Sequence, residues 1–156
     1  MKDKGHTIFS DTLLDMTPEA LFILISQHDP KNLLTDLKIN KVNRFGKTLL
    51  QIDSNSSGQS FRSLVGASIW SKLSNEFIRT IETGDTTKSS FTIGKKDTKR
   101  WFEFKAIYNQ GHLMLSVQDV TEKKQQEKAL KESGNRYRKL FEESMDSIFI
   151  MNNEYL

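Results

Sequence analysis

The clearest regular pattern in the sequence lies in its last third. Leu113, Leu115 and Val117 occupy every second position, and this alternation predicts a strand with one buried face. From Thr121 onward the residues are mostly Lys, Glu, Gln, Ala and Leu, which all favour helix. Asp119 lies just before this change, where an acidic side chain can accept a free backbone N–H at a helix start. We therefore expect the last strand of a sheet to pass directly into a helix.

A hairpin is predicted near the N-terminus. Residues 21–25 form a short apolar run that is typical of a buried strand, and residues 28–32 have the composition of a turn. Residues 33–40 would then return as the second strand. Before the hairpin, residues 12–16 are compatible with a helical turn, and Thr17-Pro18-Glu19 is a helix-start pattern with Pro where no backbone N–H is needed.

The middle of the chain has the periodicity of helices. Residues 42–51 are predicted to form a short helix, and residues 61–64 a turn after a polar loop. Apolar residues then recur at steps of three and four: Trp70, Leu73, Phe77, Ile78 and Ile81. This spacing predicts an amphipathic helix over residues 68–82, with a break near Leu73-Ser74 and an end at Gly84-Asp85.

Two more strands follow, at residues 88–94 and 100–109. One face of the second strand carries Phe102, Phe104, Ala106 and Tyr108, and the other carries Trp101, Glu103, Lys105 and Ile107. We assign the first face to the core. Trp101 and Ile107 then lie on an outer face that is partly apolar and that a partner should cover.

The predicted order gives an α+β fold, a five-stranded antiparallel sheet with helices on one face and an exposed C-terminal helix.

Composition agrees with one domain and a long solvated part, since 36% of residues are hydrophobic and 28% charged. The net charge of +3 is small, and the basic residues are scattered among 20 acidic ones, which does not favour a nucleic-acid partner. The chain has no Cys and no apolar run near the roughly 18 residues of a membrane span, and residues 1–10 lack the apolar core that is typical of a signal peptide. We expect a cytoplasmic location without membrane contact by this part of the protein.

Four short motifs, in this order and spacing, resemble the PAS family over about residues 18–122. They are Val42-Asn43, Leu64-Val65-Gly66, Arg100-Trp101-Phe102 and Asp119-Val120-Thr121-Glu122. The last is the most specific, because it is similar to the junction by which PAS domains pass into signalling helices. The resemblance implies that Asp119, Thr121 and Glu122 form a signal junction, in which Asp119 and Thr121 fix the exit angle of the helix.

A PAS sheet and its helices usually enclose a small pocket. The resemblance assigns its walls to Phe22, Leu24, Trp70, Phe77, Ile78, Ile81, Phe91, Phe102, Phe104, Leu113, Leu115 and Val117. Apolar residues at strand and helix spacing fill a core more often than they line a ligand site. We therefore expect a filled interior first, with a ligand pocket as the alternative.

No cofactor is predicted. Flavin-binding photosensory relatives use a Cys, which is absent, and haem-binding relatives use a His on the helix before the third strand, where residues 68–82 have none. His6, His28 and His112 fall in the tail or at turns and are expected at the surface. Without a Cys/His metal cluster, a phosphate-binding Gly loop or a tuned acid pair, the sequence predicts neither a metal site nor catalysis by this fragment.

The C-terminal part extends the resemblance. Leu130, Tyr137 and Ser144 are spaced by seven, a partial heptad seam that favours parallel pairing into a homodimer. The alternative is one solvated helix that bridges two domains, with Gly134 as a point where it could bend or stop. A strand is predicted at 147–151. The expected plan is an N-terminal extension (1–16), a PAS domain (17–121), a signalling helix (122–143) and the truncated start of a second PAS domain (144–156).

The function that the sequence favours is a sensory and dimerising module in a multidomain signal-transduction protein. Tandem PAS arrays in bacteria most often feed a two-component sensor histidine kinase, and otherwise a cyclic-dinucleotide enzyme or a response regulator. The expected partners are downstream domains of the same polypeptide and an unknown small ligand. The alternative is a ligand-free structural module whose outer face, formed by Trp101, Ile107 and Met114, packs on a partner.

Overall fold

Five strands form one antiparallel sheet. The computed structural model of the chain describes residues 12–53 and 55–154, with side chains as far as Met145. The strands are β1 (Ala20–His28), β2 (Leu34–Val42), β3 (Thr87–Ile93), β4 (Arg100–Asn109) and β5 (His112–Asp119). Their spatial order is β2-β1-β5-β4-β3, so that β5 is the central strand, hydrogen-bonded to β1 and β4. The predicted five-stranded antiparallel sheet is confirmed.

The helices of the described residues that follow β2 are α1 (Arg44–Leu50), α2 (Phe61–Thr83) and α3 (Thr121–Glu154). The sheet, α1 and α2 belong to one compact unit that ends at Asp119, and α3 belongs to a second unit that begins at Val120. In the first unit α1 packs against β1, and α2 packs against β2, β3 and β4. The predicted α+β class, with a helix after the last strand, is confirmed.

The buried face of the sheet is the one assigned from the alternation of residues. Leu115 of the central strand lies opposite Phe22 of β1 and Ala106 of β4, and all three side chains are buried. One position along, Ile107 and Met114 pair on the opposite face, where Met114 is 40% exposed. The bulky residues of β1, β4 and β5 therefore meet α1 and α2 in a single core.

α2 begins earlier than predicted and breaks elsewhere. Phe61, which was predicted in a turn, is the first residue of the helix. Ser60 precedes it as the N-cap, and its hydroxyl accepts a hydrogen bond from the backbone N–H of Ser63 at 3.1 Å. The break lies at Gly66, with φ 82° and ψ 163°, because glycine alone adopts this conformation without a side-chain clash. The break predicted at Leu73-Ser74 is wrong, since Leu73 is 3% exposed within a continuous stretch of helix.

The segment before β1 bends where a helix start was predicted. Residues 12–14 form the expected helical turn, but Thr17-Pro18-Glu19 is a bend. β1 begins immediately afterwards, and the backbone N–H of Leu21 already donates to Asn43 Oδ1 at 2.9 Å. The strand therefore occupies the residues that a helix would need. Residues 1–11 of the predicted extension, including His6, lie outside the described part.

α3 continues through Gly134 to Glu154. It passes residue 143, where the signalling helix was predicted to end, and residues 147–151 are helical, so the strand predicted there is wrong. One glycine costs a helix only about 1 kcal/mol relative to alanine, and the residues around it favour helix. A strand also needs neighbouring strands for its backbone hydrogen bonds, and the described chain offers none to this segment. That residues 144–156 begin a second PAS domain stays a prediction.

Candidate functional site

A small cavity lies inside the first unit, between α1, α2 and the sheet. Its volume is about 100 Å³. The lining residues are Phe22, Leu49, Leu50, Phe61, Val65, Ile69, Leu73, Phe91, Ile93, Phe102, Phe104, Leu115 and Val117. All of these side chains are hydrocarbons, so the cavity offers a bound molecule close apolar contact and no side-chain hydrogen bond.

The predicted pocket residues that do line the cavity all lie on the sheet. Those that line the cavity are Phe22, Phe91, Phe102, Phe104, Leu115 and Val117. The predicted residues outside the lining are Leu24, Trp70, Phe77, Ile78, Ile81 and Leu113. Leu24, Phe77 and Leu113 are fully buried in the surrounding packing, and Trp70 is 8% exposed. Most of the interior is thus packed, as expected first, and a small void remains within it.

The helical walls of the cavity were not among the predicted residues. Phe61 and Val65 lie one turn apart before the break at Gly66, and Ile69 and Leu73 lie one turn apart after it, so each pair shares one face of its own helical segment. The other unpredicted lining residues are Leu49 and Leu50 from α1 and Ile93 from β3. The four-residue spacing is visible in the sequence, but the assignment of residues 61–64 to a turn concealed it.

A chain of aromatic rings joins the helical and sheet walls of the cavity. Phe77 is fully buried at its centre, with ring centroids 6.3 Å from Phe61 and 5.9 Å from Phe104. Trp70 is a third neighbour at 6.2 Å. All three contacts are edge-on, the arrangement that aromatic quadrupoles favour. Because Phe61 and Phe104 line the cavity while Phe77 lies behind both, Phe77 sets the distance between the two walls.

The predicted outer-face residues lie at two separate places. Met114 pairs with Ile107 of β4 on one side and with Ile23 of β1 on the other. Trp101 lies at the other end of β4, about 20 Å away at roughly 3.4 Å per residue, with Lys99 Nζ 4.3 Å from the centre of its ring. The structure therefore brings Ile107 and Met114 together and leaves Trp101 apart from them.

The end of β5 is tied to the start of β4. The Asp119 carboxylate accepts a hydrogen bond from the guanidinium of Arg100, forming an ion pair near the surface. The same guanidinium lies 5.3 Å from the ring centre of Phe102, which lines the cavity. Only Val120 separates β5 from Thr121, where α3 begins. Glu122 lies in the first turn of α3, where an acidic charge interacts favourably with the helix dipole. Asp119, the first of the predicted junction residues, is thus connected through Arg100 to a wall of the cavity.

Other chemistry is sparse in the described residues. They contain no group of three or more His, Asp or Glu side chains placed to hold a metal ion. None of the helices in this part of the chain is both long enough and apolar enough to cross a membrane. His28 is exposed, and His112 is half-buried, with Nδ1 3.0 Å from the backbone oxygen of Gln110.

Several solved structures are similar to this chain. No protein-family model and no curated protein sequence matches it. The PAS domain of Bordetella pertussis BvgS aligns over 83% of this chain and 98% of its own, with a TM-score of 0.54 and 15% identity. The PAS domain of an HTR-like protein from Haloarcula marismortui aligns over 76% and 95%, with a TM-score of 0.51 and 13% identity. A domain of an HTR-like protein from Haloarcula marismortui ATCC 43049 aligns over 67% and 100%, with a TM-score of 0.50 and 16% identity.

Proposed function

We propose that this chain, whose fold is that of a PAS domain, is a sensory module that passes a signal from its sheet to α3 within a larger signal-transduction protein. The observation that supports the proposal is the position of β5. This strand is central in the sheet, lines the cavity through Leu115 and Val117 and is separated from α3 by a single residue. Any change that moves β5 acts directly on the first residues of the helix.

The route from the cavity to the junction consists of contacts inside the first unit. Val117 and Phe102 line the cavity, and Asp119 lies two residues beyond Val117 on β5. Asp119 pairs with Arg100, which lies over the Phe102 ring. A shift of β5 against β4 would therefore change the Arg100–Asp119 ion pair before it reached Thr121. The output would be a change in the balance between two arrangements of α3.

We also propose that α3 pairs in parallel with α3 of a second copy. Leu130, Tyr137, Leu140 and Phe141 are 75%, 73%, 58% and 57% exposed. Apolar side chains at this spacing gain stability when they pack against a second helix. The output that we propose is a histidine kinase of a two-component system, a role supported by the sequence resemblance alone. The cytoplasmic location and the absence of catalysis in this fragment, which we also propose, are supported by the composition and motifs of the sequence.

Disulfide cross-linking tests the pairing. Because the sequence contains no Cys, one introduced thiol reports on one position. Leu130→Cys, on the apolar seam, is expected to give a covalent dimer under mild oxidation, because equivalent seam positions of parallel helices face each other. Lys128→Cys lies about 200° around the helix and should give little. Equal yields for the two variants, or no dimer from either, would contradict pairing along this seam.

Asp119→Ala is expected to change the yield of the Leu130→Cys dimer while the first unit stays folded. The Arg100–Asp119 pair is 58% and 33% exposed, and removing such a pair costs about 1 kcal/mol or less. Asp97→Ala, which removes an exposed acid from the turn between β3 and β4, is the control and should leave the yield unchanged. Urea unfolding checks stability. An unaltered yield in Asp119→Ala would show that this ion pair has no part in the relay.

A ligand-free interaction module is the second candidate function. It is favoured by the exposed apolar side chains on the outer face of the sheet, where Met114 is 40% and Ile25 37% exposed. In that case a partner would cover the outer face, and changes near Asp119 would not alter the pairing of α3. The cross-linking comparison therefore separates the two candidates.

A further inference from the structure

We propose that a polar cleft on the surface of the first unit, separate from the interior cavity, binds the phosphate group of a small molecule. The cleft lies between the end of β2, α1 and the residues that follow α1, and its volume is about 630 Å³, within the range of about 300–1,000 Å³ for ligand sites. Lys47 and Thr48 of α1 line the cleft, whereas Leu49 and Leu50 line the interior cavity. The helix therefore separates a polar site from an apolar one.

The charge of the cleft favours an anion. Its lining contains three cations, Lys41, Arg44 and Lys47, and one carboxylate, that of Asp15. Asp15 Oδ1 accepts a hydrogen bond from the backbone N–H of Arg44 at 2.7 Å, which compensates part of the negative charge. Lys41 already interacts with another residue, but Arg44 and Lys47 form no ion pair with the residues that the structure describes. These two are three positions apart on α1, so that both project from one face of the helix.

The fold fixes the walls of the cleft before any ligand binds. α1 begins after Asn43, whose buried side chain makes four hydrogen bonds. A second wall carries Ser56, which is 4% exposed. Backbone hydrogen bonds tie the chain beyond it to β2, from the N–H of Gly58 to the oxygen of Ile39 at 2.7 Å and from the N–H of Ile39 to the oxygen of Gln59 at 2.9 Å. A preformed site loses less conformational entropy on binding.

A phosphate group suits this set of side chains better than a carboxylate does. It carries a charge of about −1.5 to −2 at neutral pH and three acceptor oxygens, so that it can accept hydrogen bonds from two cations and a hydroxyl at the same time. The lining supplies the hydroxyls of Ser56 and Ser57 in addition to Arg44 and Lys47. A phosphorylated molecule bound here would contact α1 on the side away from the interior cavity, and would therefore be a separate input to the first unit.

Pyrophosphate is a suitable probe for this site. In amide NMR spectra of the full chain it should give saturable shifts at cleft residues such as Gly46, Thr48 and Ser56. The turn at residues 95–100 contains four cations, one more than the cleft, and serves as an internal comparison. Larger shifts at that turn than in the cleft would show that pyrophosphate follows positive charge alone, and would overturn the proposal.

Lys47→Gln and Lys96→Gln form a matched pair of variants. Each removes one positive charge, but only Lys47 lines the cleft, whereas Lys96 is exposed in the turn between β3 and β4. Lys47→Gln should weaken pyrophosphate binding about tenfold, through the loss of one charge-assisted hydrogen bond. Lys47→Arg should retain binding, and Lys96→Gln should leave it unchanged. Equal losses in Lys47→Gln and Lys96→Gln, or no saturable binding by the unaltered chain, would contradict a site in the cleft.

Two further variants test the site without relying on Lys47. Arg44→Gln, at an exposed position, covers the case in which Lys47→Gln fails to fold, and it should also weaken binding about tenfold. Ser56→Ala leaves the charge of the chain unchanged and should weaken binding by removing a hydroxyl from the lining. An unchanged affinity in Ser56→Ala would place the anion at the rim and overturn its assignment to the cleft.

Vesicles of phosphatidylglycerol distinguish a free phosphorylated molecule from a lipid headgroup. Because the cleft is lined from more than one side, we expect it to take a free molecule, and we expect no cosedimentation of the chain with vesicles that depends on Arg44. Cosedimentation that Arg44→Gln abolishes, without saturable shifts by pyrophosphate, would overturn the assignment to a free molecule. These measurements require neither pairing of α3 nor an output domain, so their failure leaves the cross-linking test of the proposed function unaffected.

Discussion

Phe77→Ala is expected to destabilise the first unit by about 3–5 kcal/mol, the range for truncating a buried aromatic residue. Phe77 is fully buried and its ring makes edge-on contacts with three aromatic neighbours. The substitution removes the side chain that separates the helical wall from the sheet wall. The remaining space cannot close without moving α2, because the neighbouring rings are held by β4 and by α2 itself. The loss is a large part of the about 5–15 kcal/mol that separates the folded and unfolded states of a typical domain.

Urea unfolding followed by circular dichroism measures this effect. Phe141→Ala, the same chemical change at a side chain that is 57% exposed on α3, is the control and should alter the unfolding of the first unit by no more than about 0.5 kcal/mol. Phe77→Leu should fall between the two, since it leaves a smaller void. A cost below about 1 kcal/mol for Phe77→Ala would show that the interior is not packed around this ring.

The elements predicted most accurately are those in which a bulky residue occupies every second position. β4 begins at Arg100 and ends at Asn109, as predicted, because Phe102 and Phe104 alternate with charged neighbours and only a half-buried strand satisfies that pattern. The start of α2 was missed because Gly66 interrupts the helix five residues after Phe61. A glycine locally predicts a helix break, and only the burial of Phe61 and Leu73 against the sheet shows that helix lies on both sides of it.

The cavity could be predicted only in part, for a different reason. Residue types identify which side chains face the interior, and the sheet residues of the lining, such as Phe102 and Val117, follow from alternation alone. A void is the difference between the space that the backbone encloses and the volume of the side chains, and that difference does not follow from residue types. Small shifts of α1 would close a space of about 100 Å³ without any change in the sequence pattern.

The resemblance to a family also misled at one place. Residues 147–151 were predicted to begin the first strand of a second domain, whereas they are helical. The local residues are compatible with either state, and a strand gains its stability from partners that this chain does not supply among its described residues. Whether such a segment is helix or strand depends on neighbouring strands that can form hydrogen bonds with it. A strand prediction is therefore less secure for a segment without such neighbours than for one between two other strands.

Asn43→Ala is expected to cost about 3–4 kcal/mol, which is more than the loss of an ordinary helix cap. The Asn43 side chain is 3% exposed and makes four hydrogen bonds. Its Oδ1 accepts from the backbone N–H groups of Leu21 and Gly46, both at 2.9 Å. Its Nδ2 donates to the backbone oxygens of Leu14 and Glu19 at 2.9 and 2.8 Å. One side chain thus caps α1, fixes the start of β1 and holds the turn before it.

Two comparisons distinguish capping from this wider role. Ser60→Ala removes an N-cap of α2 with one hydrogen bond, from the N–H of Ser63 at 3.1 Å, and should cost only about 1 kcal/mol. Asn43→Ser keeps a capping oxygen for Gly46 but cannot reach the other three partners, so it should recover no more than about 1 kcal/mol of the loss. Urea unfolding gives all three values.

Full recovery of stability in Asn43→Ser would mean that capping of α1 alone explains the contribution of Asn43. Partial recovery, together with faster amide exchange at Leu21, would show that Asn43 couples the segment before β1 to α1 and, through Leu49 and Leu50, to the wall of the cavity.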